Sequence, residues 1–223
     1  MRPTRTGLAG SALLLAASLI WLALARPPAS LFHLLWLLAV AGVGLFLPGV
    51  ANQVSLSRAY LAAPALAYAL TPGGLGALAV TVALAGLSDL VDGTLARRLD
   101  RPTPIGGALD PLVDGVFLGA VAVGLALGGV YPAWLAAVVI LRYALPAAVG
   151  GALLAAGRRP PLKHTPMGQV STILILVLLG GAALLRGLDQ DAGGLVRGAL
   201  VAIPLATLAT YANLLWAGLK RGG

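Results

Sequence analysis

The sequence contains no cysteine and no glutamate, and its 223 residues include only seven acidic side chains, all Asp. Without cysteine, disulfides and thiolate metal sites are excluded, and nothing about redox compartment follows. Charged residues make up 10% of the chain and aromatics 5%. A soluble domain carries about 25% charged residues, so this chain has too little polar surface to face water all round. The net charge of +8 is not accompanied by any basic run interleaved with aromatics, which sets nucleic acid aside as a partner. Apolar residues are abundant instead, at 59% of the chain and a mean hydropathy of +0.96. The chain reads as an all-α, polytopic membrane helix bundle. Its basic residues serve as topology signals and as contacts to anionic membrane lipids.

A span needs roughly 20 predominantly apolar residues. Eight runs qualify: Gly7–Ala25, Ser30–Leu47, Val54–Thr71, Leu75–Asp89, Gly107–Leu127, Pro132–Ala156, Met167–Leu185 and Val196–Leu219. The breaks between them carry Gly, Pro or charge, as at Arg26-Pro27-Pro28, Pro72-Gly73-Gly74 and Gly128-Gly129. The fourth run is short because the helix is expected to continue to about Arg98. Met1 to Ala25 has a basic start and an Ala23-Leu24-Ala25 end that resembles a signal-peptide cleavage site. Its apolar run exceeds the usual 7–15 or so residues, so it reads as a retained span. Trp21, Tyr131, Trp134 and Trp216 lie near span ends and read as interfacial anchors. The 30 glycines suit close helix–helix approach in lipid.

Four of the seven Asp residues, Asp89, Asp92, Asp110 and Asp114, fall within 26 residues. An acidic side chain at the bilayer centre costs about 2.5–3.5 kcal/mol on insertion scales, so such a cluster requires a cation. On one helix Asp89, Asp92 and Ala96 share a face, and Asp110 and Asp114 share a face of the next. Pro102 and Pro104 favour a tight connection, so the two helices would aim four carboxylates at one place. Hard oxygen ligands in this number suit Mg²⁺ or Mn²⁺, with two ions balancing four carboxylates. Gly93 and Ala96 leave a groove beside them, and Gly106 permits close packing where the second helix starts. Two metals beside a groove at a membrane boundary point to transfer of a phosphorus-linked group.

The spacing D-x2-D-G-x2-A-R-x8-G-x3-D-x3-D, met by Asp89, Asp92, Gly93, Ala96, Arg97, Gly106, Asp110 and Asp114, resembles that of the CDP-alcohol phosphotransferases. Upstream, Asn52, Ser57, Arg58 and Pro64 look like the Asn–Thr–Arg–Pro run that leads into the family's first core helix. The resemblance implies a six-helix catalytic core over residues 50–223, preceded by two additional transmembrane helices in residues 1–49 with no assigned role. It implies attack of a polar alcohol on a CDP-activated lipid such as CDP-diacylglycerol, with release of CMP. Asp89, Asp92 and Asp110 would hold the metals. Asp114 would act as general base and touch the second metal, and Gly93, Ala96 and Arg97 would line the cytidine diphosphate site, with Gly106 beside them. The family and the Gly-rich surface together suggest a homodimer.

The acceptor is open at this stage. The stretch Thr103 to Asp114 is similar to that of phosphatidylglycerophosphate and cardiolipin-type synthases, but Val113 and Gly115 depart from their pattern. Arg142 resembles an Arg of the fourth core helix, with Tyr143 where an acid is usual. Lys163, Thr165 and Gln169 look like a family loop that His164 interrupts. Arg142, Lys163 and His164 could converge on an anionic acceptor such as glycerol 3-phosphate; inositol phosphate, phosphatidylglycerol and serine are the alternatives. Asp100, Asp189 and Asp191 read as loop charges, and His33 as a packing residue. A cation-coupled transporter is the rival from another class, but transporters pair inverted halves about a midplane site, and no second half mirrors these acids. A non-catalytic descendant would be expected to have lost an Asp, and none is lost.

Basic residues set the orientation. With the N-terminus in the cytoplasm, eleven of them (Arg2, Arg5, Arg58, Arg97, Arg98, Arg101, Arg158, Arg159, Lys163, Lys220 and Arg221) lie on the cytoplasmic side, against Arg26, Arg186 and Arg197 outside. This places the Asp motif at the cytoplasmic face, and the membrane is expected to be a bacterial or archaeal cell membrane. Single cysteines introduced near Thr103 and near Gln190 should therefore label with impermeant reagents from opposite sides of the membrane. Labelling of both from the outer side would reverse the assignment.

Overall fold

The computed structural model describes residues 3–98, 104–157 and 166–219, with side chains described for all of these except residues 90, 92–98, 104–108, 154, 166 and 217–219. Among the described residues, eight helices follow one another: α1 Arg5–Ala25, α2 Ser30–Gly44, α3 Val50–Leu70, α4 Leu75–Arg98, α5 Pro104–Leu127, α6 Ala133–Ala155, α7 Pro166–Gly187 and α8 Gly193–Leu219. Among the described residues there are no strands. The all-α bundle read from the sequence is the fold.

Local chemistry sets the boundaries. Thr4 caps α1 by accepting the Gly7 N–H at 2.9 Å, and Arg26 ends the helix with φ 44 before Pro27 and Pro28 block its continuation. Gly49, at φ 90, turns the chain into α3 four residues earlier than the apolar run alone suggests. At the α3–α4 turn a Cβ on Gly74 would lie 2.3 Å from the Tyr68 carbonyl oxygen, so only glycine fits.

The six helices α3 to α8 form a closed ring in the spatial order α3, α4, α7, α8, α6, α5, with α5 also touching α7 across the interior. One apolar core, including Leu78, Phe117, Leu118, Val121, Ile175, Leu179 and Ile203, runs through all six. The N-terminal hairpin docks outside the ring on α3. A second apolar cluster joins Leu37, Val40 and Ala41 of α2 to Leu56 and Tyr60 of α3 and to Leu109 and Val113 of α5. Hydrogen bonds fasten the hairpin further: Thr4 N–H to the Leu45 carbonyl (3.1 Å), and Gln53 Nε2 to the carbonyls of Gly44 (2.9 Å) and Leu47 (3.0 Å).

Five helices, α1 and α5 to α8, are long and apolar enough to cross a membrane, and Ser30–Gly44 and Leu75–Asp89 are shorter apolar helices. α3 fails on composition because Asn52, Gln53, Ser55, Ser57 and Arg58 crowd its first half. It is tolerated because 14 of its 21 residues are buried, so its polar groups meet protein instead of lipid. The outer faces are apolar throughout, with Leu13, Leu24, Val80, Val170, Val201 and Leu215 among many exposed large side chains. In water such a surface would aggregate.

Pro64, Pro111, Pro146 and Pro204 lie inside helices, where each removes a donor from the backbone ladder. At two of them the carbonyl five residues upstream gains a side-chain donor. Trp36 Nε1 donates to the Ala59 carbonyl at 2.9 Å before Pro64, and the Tyr211 hydroxyl donates to the Leu141 carbonyl at 2.7 Å before Pro146. Of the four aromatics read as interfacial anchors, Trp134 and Trp216 are exposed. Trp21 instead donates to the Tyr68 hydroxyl at 2.8 Å. Tyr131, in the α5–α6 connection, is buried and donates to the Leu178 carbonyl at 3.1 Å, with burial pushing its phenol up to about 12. It remains a neutral donor well above neutral pH and clasps the turn to α7.

Gly187 and Gly198 form a matched test of close approach. A Cβ on Gly187 would fall 2.5 Å from the backbone nitrogen of Gly76, which cannot give way, whereas one on Gly198 meets nothing within 4 Å. Gly187→Ala should lower the thermal unfolding midpoint in detergent, by an amount corresponding to about 1–3 kcal/mol of overpacking. Gly198→Ala should leave it unchanged or raise it by up to about 1 kcal/mol, the helix-propensity gain. Equal behaviour of the two variants would rule out the α4–α7 contact.

Candidate active site

The carboxylate motif begins on α4, which runs unbroken to Arg98, and ends on α5, which starts at Pro104. Proline suits that first position, where its missing N–H has no partner to lose. Asp89 lies nine residues before the end of α4, and Asp114 ten residues after the start of α5. At 1.5 Å rise per residue this recesses the site by roughly 13–15 Å from those helix ends. The side chains of Asp92, Gly93, Ala96, Arg97 and Gly106 lie outside the described residues, as do Lys163 and His164 altogether.

What the motif carboxylates converge on is Arg58 of α3. Its Nη1 donates to Asp89 Oδ1 at 2.5 Å and to Asp114 Oδ1 at 2.6 Å, and its Nη2 lies 3.5 Å from Asp110 Oδ1. The Arg58 side chain is 3% exposed, against 53% for Asp89, 36% for Asp110 and 14% for Asp114. Asp114 is therefore the deepest of the three acids and Asp89 the most open. With three acids around it, the buried Arg58 keeps compensation when any one of them is lost, whereas loss of Arg58 leaves all three carboxylates without their shared cation. In the sequence Arg58 stands out as part of the family resemblance and as a topology signal; no spacing rule connects it to acids 31 and 56 residues away.

Arg58, Asp89 and Asp114 line one wall of a cleft of about 440 Å³ between α3, α4, α5 and α7. The rest of the lining is apolar or small, with Gly86, Leu87, Phe117, Ile173 and Leu176 prominent and Thr172 supplying a hydroxyl. Among the described residues, Asp89, Asp110 and Asp114 do not by themselves form a three-ligand metal cluster. The donor set nonetheless fits a hard divalent cation, because Asp89, Asp110 and Asp114 bring hard carboxylate oxygens together around one point.

Arg142 is brought near this cleft but not into its lining. It is buried at 4% exposure, and its partners are neutral. Nη1 donates to Thr210 Oγ1 at 2.9 Å, and Nη2 donates to the Gly168 carbonyl at 3.0 Å and to Thr172 Oγ1 at 3.3 Å. Nε has no partner. The guanidinium also lies 5.1 Å from the centre of the Tyr143 ring, whose hydroxyl is 3.0 Å from Thr172 Oγ1. Arg142 thus fastens α6 to α7 and α8, one hydrogen bond behind the cleft wall. On the other side Tyr143 packs against Gly115, where a Cβ would sit 2.5 Å from Tyr143 Cβ. The Gly115 beside Asp114 is required by that contact. Thr172, Ser171 and Thr210 had drawn no attention in the sequence. The signal that could have found them is an intramembrane Arg with no acid on its own helix, which must find hydroxyls elsewhere.

Two isosteric changes on α8 test the clamp. Thr210 accepts from Arg142 and lies 3.2 Å from Ser171 Oγ, whereas Thr207, among the described residues, bonds only the Ile203 carbonyl of its own helix. Thr210→Val should destabilise by about 1–3 kcal/mol, the cost of a buried charged donor losing its acceptor. Thr207→Val should cost less than about 0.5 kcal/mol. The check is the unfolding midpoint of each variant; the reverse order would exclude the Arg142 clamp.

Residues 49–215 match the family model described as CDP-alcohol phosphatidyltransferase, a stretch that includes every helix of the ring except the last four residues of α8 and leaves out α1 and α2. The chain is 36% identical over 97 residues to a cardiolipin synthase (CMP-forming) of Streptomyces coelicolor, which covers 44% of this chain and 45% of that protein. It is 31% identical over 133 residues to the CDP-diacylglycerol–glycerol-3-phosphate 3-phosphatidyltransferase of Bacillus subtilis, covering 60% and 63%. It is 33% identical over 90 residues to the archaetidylinositol phosphate synthase of Methanothermobacter thermautotrophicus, covering 38% and 46%. The chain thus spans about half the length of the relatives it matches. With the ring, the motif acids and the family match on the same residues, the chain belongs to the CDP-alcohol phosphatidyltransferase family.

Proposed function

We propose that this protein transfers a phosphatidyl group from CDP-diacylglycerol to a phosphate-bearing alcohol, releasing CMP, at the carboxylate cluster on α4 and α5. The observation that carries this reading is the convergence of Asp89, Asp110 and Asp114 on one cation at the edge of a largely apolar cleft. Asp89, Asp92 and Asp110, with Asp114, would hold two divalent cations. Bound there, Mg²⁺ or Mn²⁺ would supply Lewis-acid stabilisation of charge on the pyrophosphate.

The protein's own residues account for the rest. The acceptor oxygen attacks the phosphatidyl phosphorus, the P–O bond to the cytidylyl phosphate breaks, and CMP leaves with that oxygen. Asp114, deepest in the cleft, takes the acceptor's hydroxyl proton. Gly93, Ala96, Arg97 and Gly106 form the nucleotide side. Leu87, Ile173 and Leu176 give acyl chains an apolar wall and exclude water from the reacting phosphorus. Arg142 and Lys163 bias the site toward an anionic acceptor, Arg142 through Thr172. Glycerol 3-phosphate is the acceptor we favour. Phosphatidylglycerol is the second reading, supported by similarity to proteins named cardiolipin synthase. We place the site on the cytoplasmic face, in keeping with the eleven-to-three distribution of basic residues.

The full chain in proteoliposomes, given CDP-diacylglycerol and separately glycerol 3-phosphate, phosphatidylglycerol, inositol phosphate or serine, should release CMP with one phosphate-bearing acceptor. EDTA should abolish release, Mg²⁺ or Mn²⁺ should restore it, and Ca²⁺, with its looser geometry, should restore it poorly. Asp114→Asn should abolish turnover while CDP-diacylglycerol still binds, whereas Asp89→Asn should also weaken metal-dependent nucleotide binding. Near-normal turnover in Asp114→Asn removes the base assignment. CMP release with serine alone removes the anionic acceptor.

A further inference from the structure

Arg58 stands among carboxylates that, on the reading above, would hold the metal ions, and it comes from a helix outside the carboxylate motif. The oxygens that bond it, Asp89 Oδ1 and Asp114 Oδ1, are 2.5 and 2.6 Å from the same Nη1. A lone pair that accepts from the guanidinium is not available to a divalent cation, and although each carboxylate has a second oxygen and further lone pairs, a fixed positive charge between two ligand oxygens opposes any cation approaching them. Arg58 cannot simply be stripped of partners either, since a charge buried to this degree needs an anion. The side chain does have somewhere to go, because it lines the 440 Å³ cleft in which, on the reading above, the substrate's pyrophosphate would lie.

We propose that Arg58 is a resident counter-cation that divalent metal must displace, and that the displaced guanidinium moves into the cleft to bind a substrate phosphate. Metal loading and nucleotide binding are thereby coupled. The metal enters more readily when a diphosphate is present to receive Arg58, and the diphosphate binds better once Arg58 has been released. The site's metal affinity is set by a residue that ligates no metal. Arg58 acts through the metal ligands when the metal is absent, and directly on substrate phosphate when it is present. The inference rests on the metal reading of the four Asp residues.

The experiment measures Mn²⁺ binding to the full chain in detergent, from the electron paramagnetic resonance signal of free Mn²⁺, with and without cytidine diphosphate. Arg58→Gln should bind Mn²⁺ at least tenfold more tightly than the unaltered protein, and cytidine diphosphate should tighten Mn²⁺ binding less in the variant. Equal or weaker Mn²⁺ binding by Arg58→Gln overturns the displacement while leaving the metal site standing. Absence of Mn²⁺ binding in both proteins overturns the site and the displacement together.

A measurement on the unaltered chain guards against a variant that does not fold. Modification of Arg58 by phenylglyoxal, read by mass spectrometry of its peptide, should be slow without metal, at least fivefold faster with Mn²⁺, and slowed again by cytidine diphosphate. Reactivity that Mn²⁺ leaves unchanged or lowers overturns the proposal, since the guanidinium would not have left its buried place.

Discussion

A guanidinium held among three carboxylates inside an apolar bundle is the interaction on which the rest of this structure depends. Each Asp of the motif is costly in lipid, and the carboxylates together repel one another. Arg58 offsets both costs, and its location explains why α3 is the most buried helix. A helix that carries Asn52, Gln53, Ser55 and Arg58 cannot face lipid, so α1 and α2 pack over one side of it and α4 and α5 over the others. The central place of α3 follows from its polarity, the reverse of a soluble fold, where the most apolar helix is the central one.

Packing in the remaining bundle relies on polar and small groups, because lipid supplies no hydrophobic drive for helices to associate. The Arg142 clamp draws its partners from two other helices, and glycines at Gly115, Gly180 and Gly187 let backbones approach where any side chain would collide. Interior prolines fit the same scheme. They weaken the ladder of α3 and α6, and an indole and a phenol from neighbouring helices occupy carbonyls beside the breaks. At Pro64 and Pro146 the break in the backbone ladder thus becomes an attachment point between helices.

Much of this was legible in the sequence. Helix positions followed from apolar length and from Gly and Pro, and the eight runs correspond one to one with the eight helices. The acid spacing named the site. Other features had no local signature. Arg58 and Arg142 find their partners on other helices, and which helices become neighbours is set by ring order instead of chain order. The Tyr143–Gly115 contact looked like two departures from a family pattern, an acid and a Lys missing, yet in space the two residues are complementary. Tyr131 read as an anchor because position in a span predicts exposure only for residues on its outer face. Lys163, His164 and the side chains of Asp92, Gly93, Ala96, Arg97 and Gly106 lie where the structure adds nothing to the sequence.

The order of the helices along the chain also matters for how the protein is made. Synthesis proceeds from the N-terminus, so the helix bearing Arg58 enters the bilayer before either helix bearing the motif acids. Asp89 therefore arrives next to a cation already in place, and Asp110 and Asp114 arrive on the following helix. α7, which closes the far wall of the cleft, comes later, by which time the charges are already paired. During biogenesis the acidic motif need never be presented to lipid without a cation at hand, and the uncompensated interval falls on Arg58 alone, whose long side chain can reach toward the interface until α4 arrives.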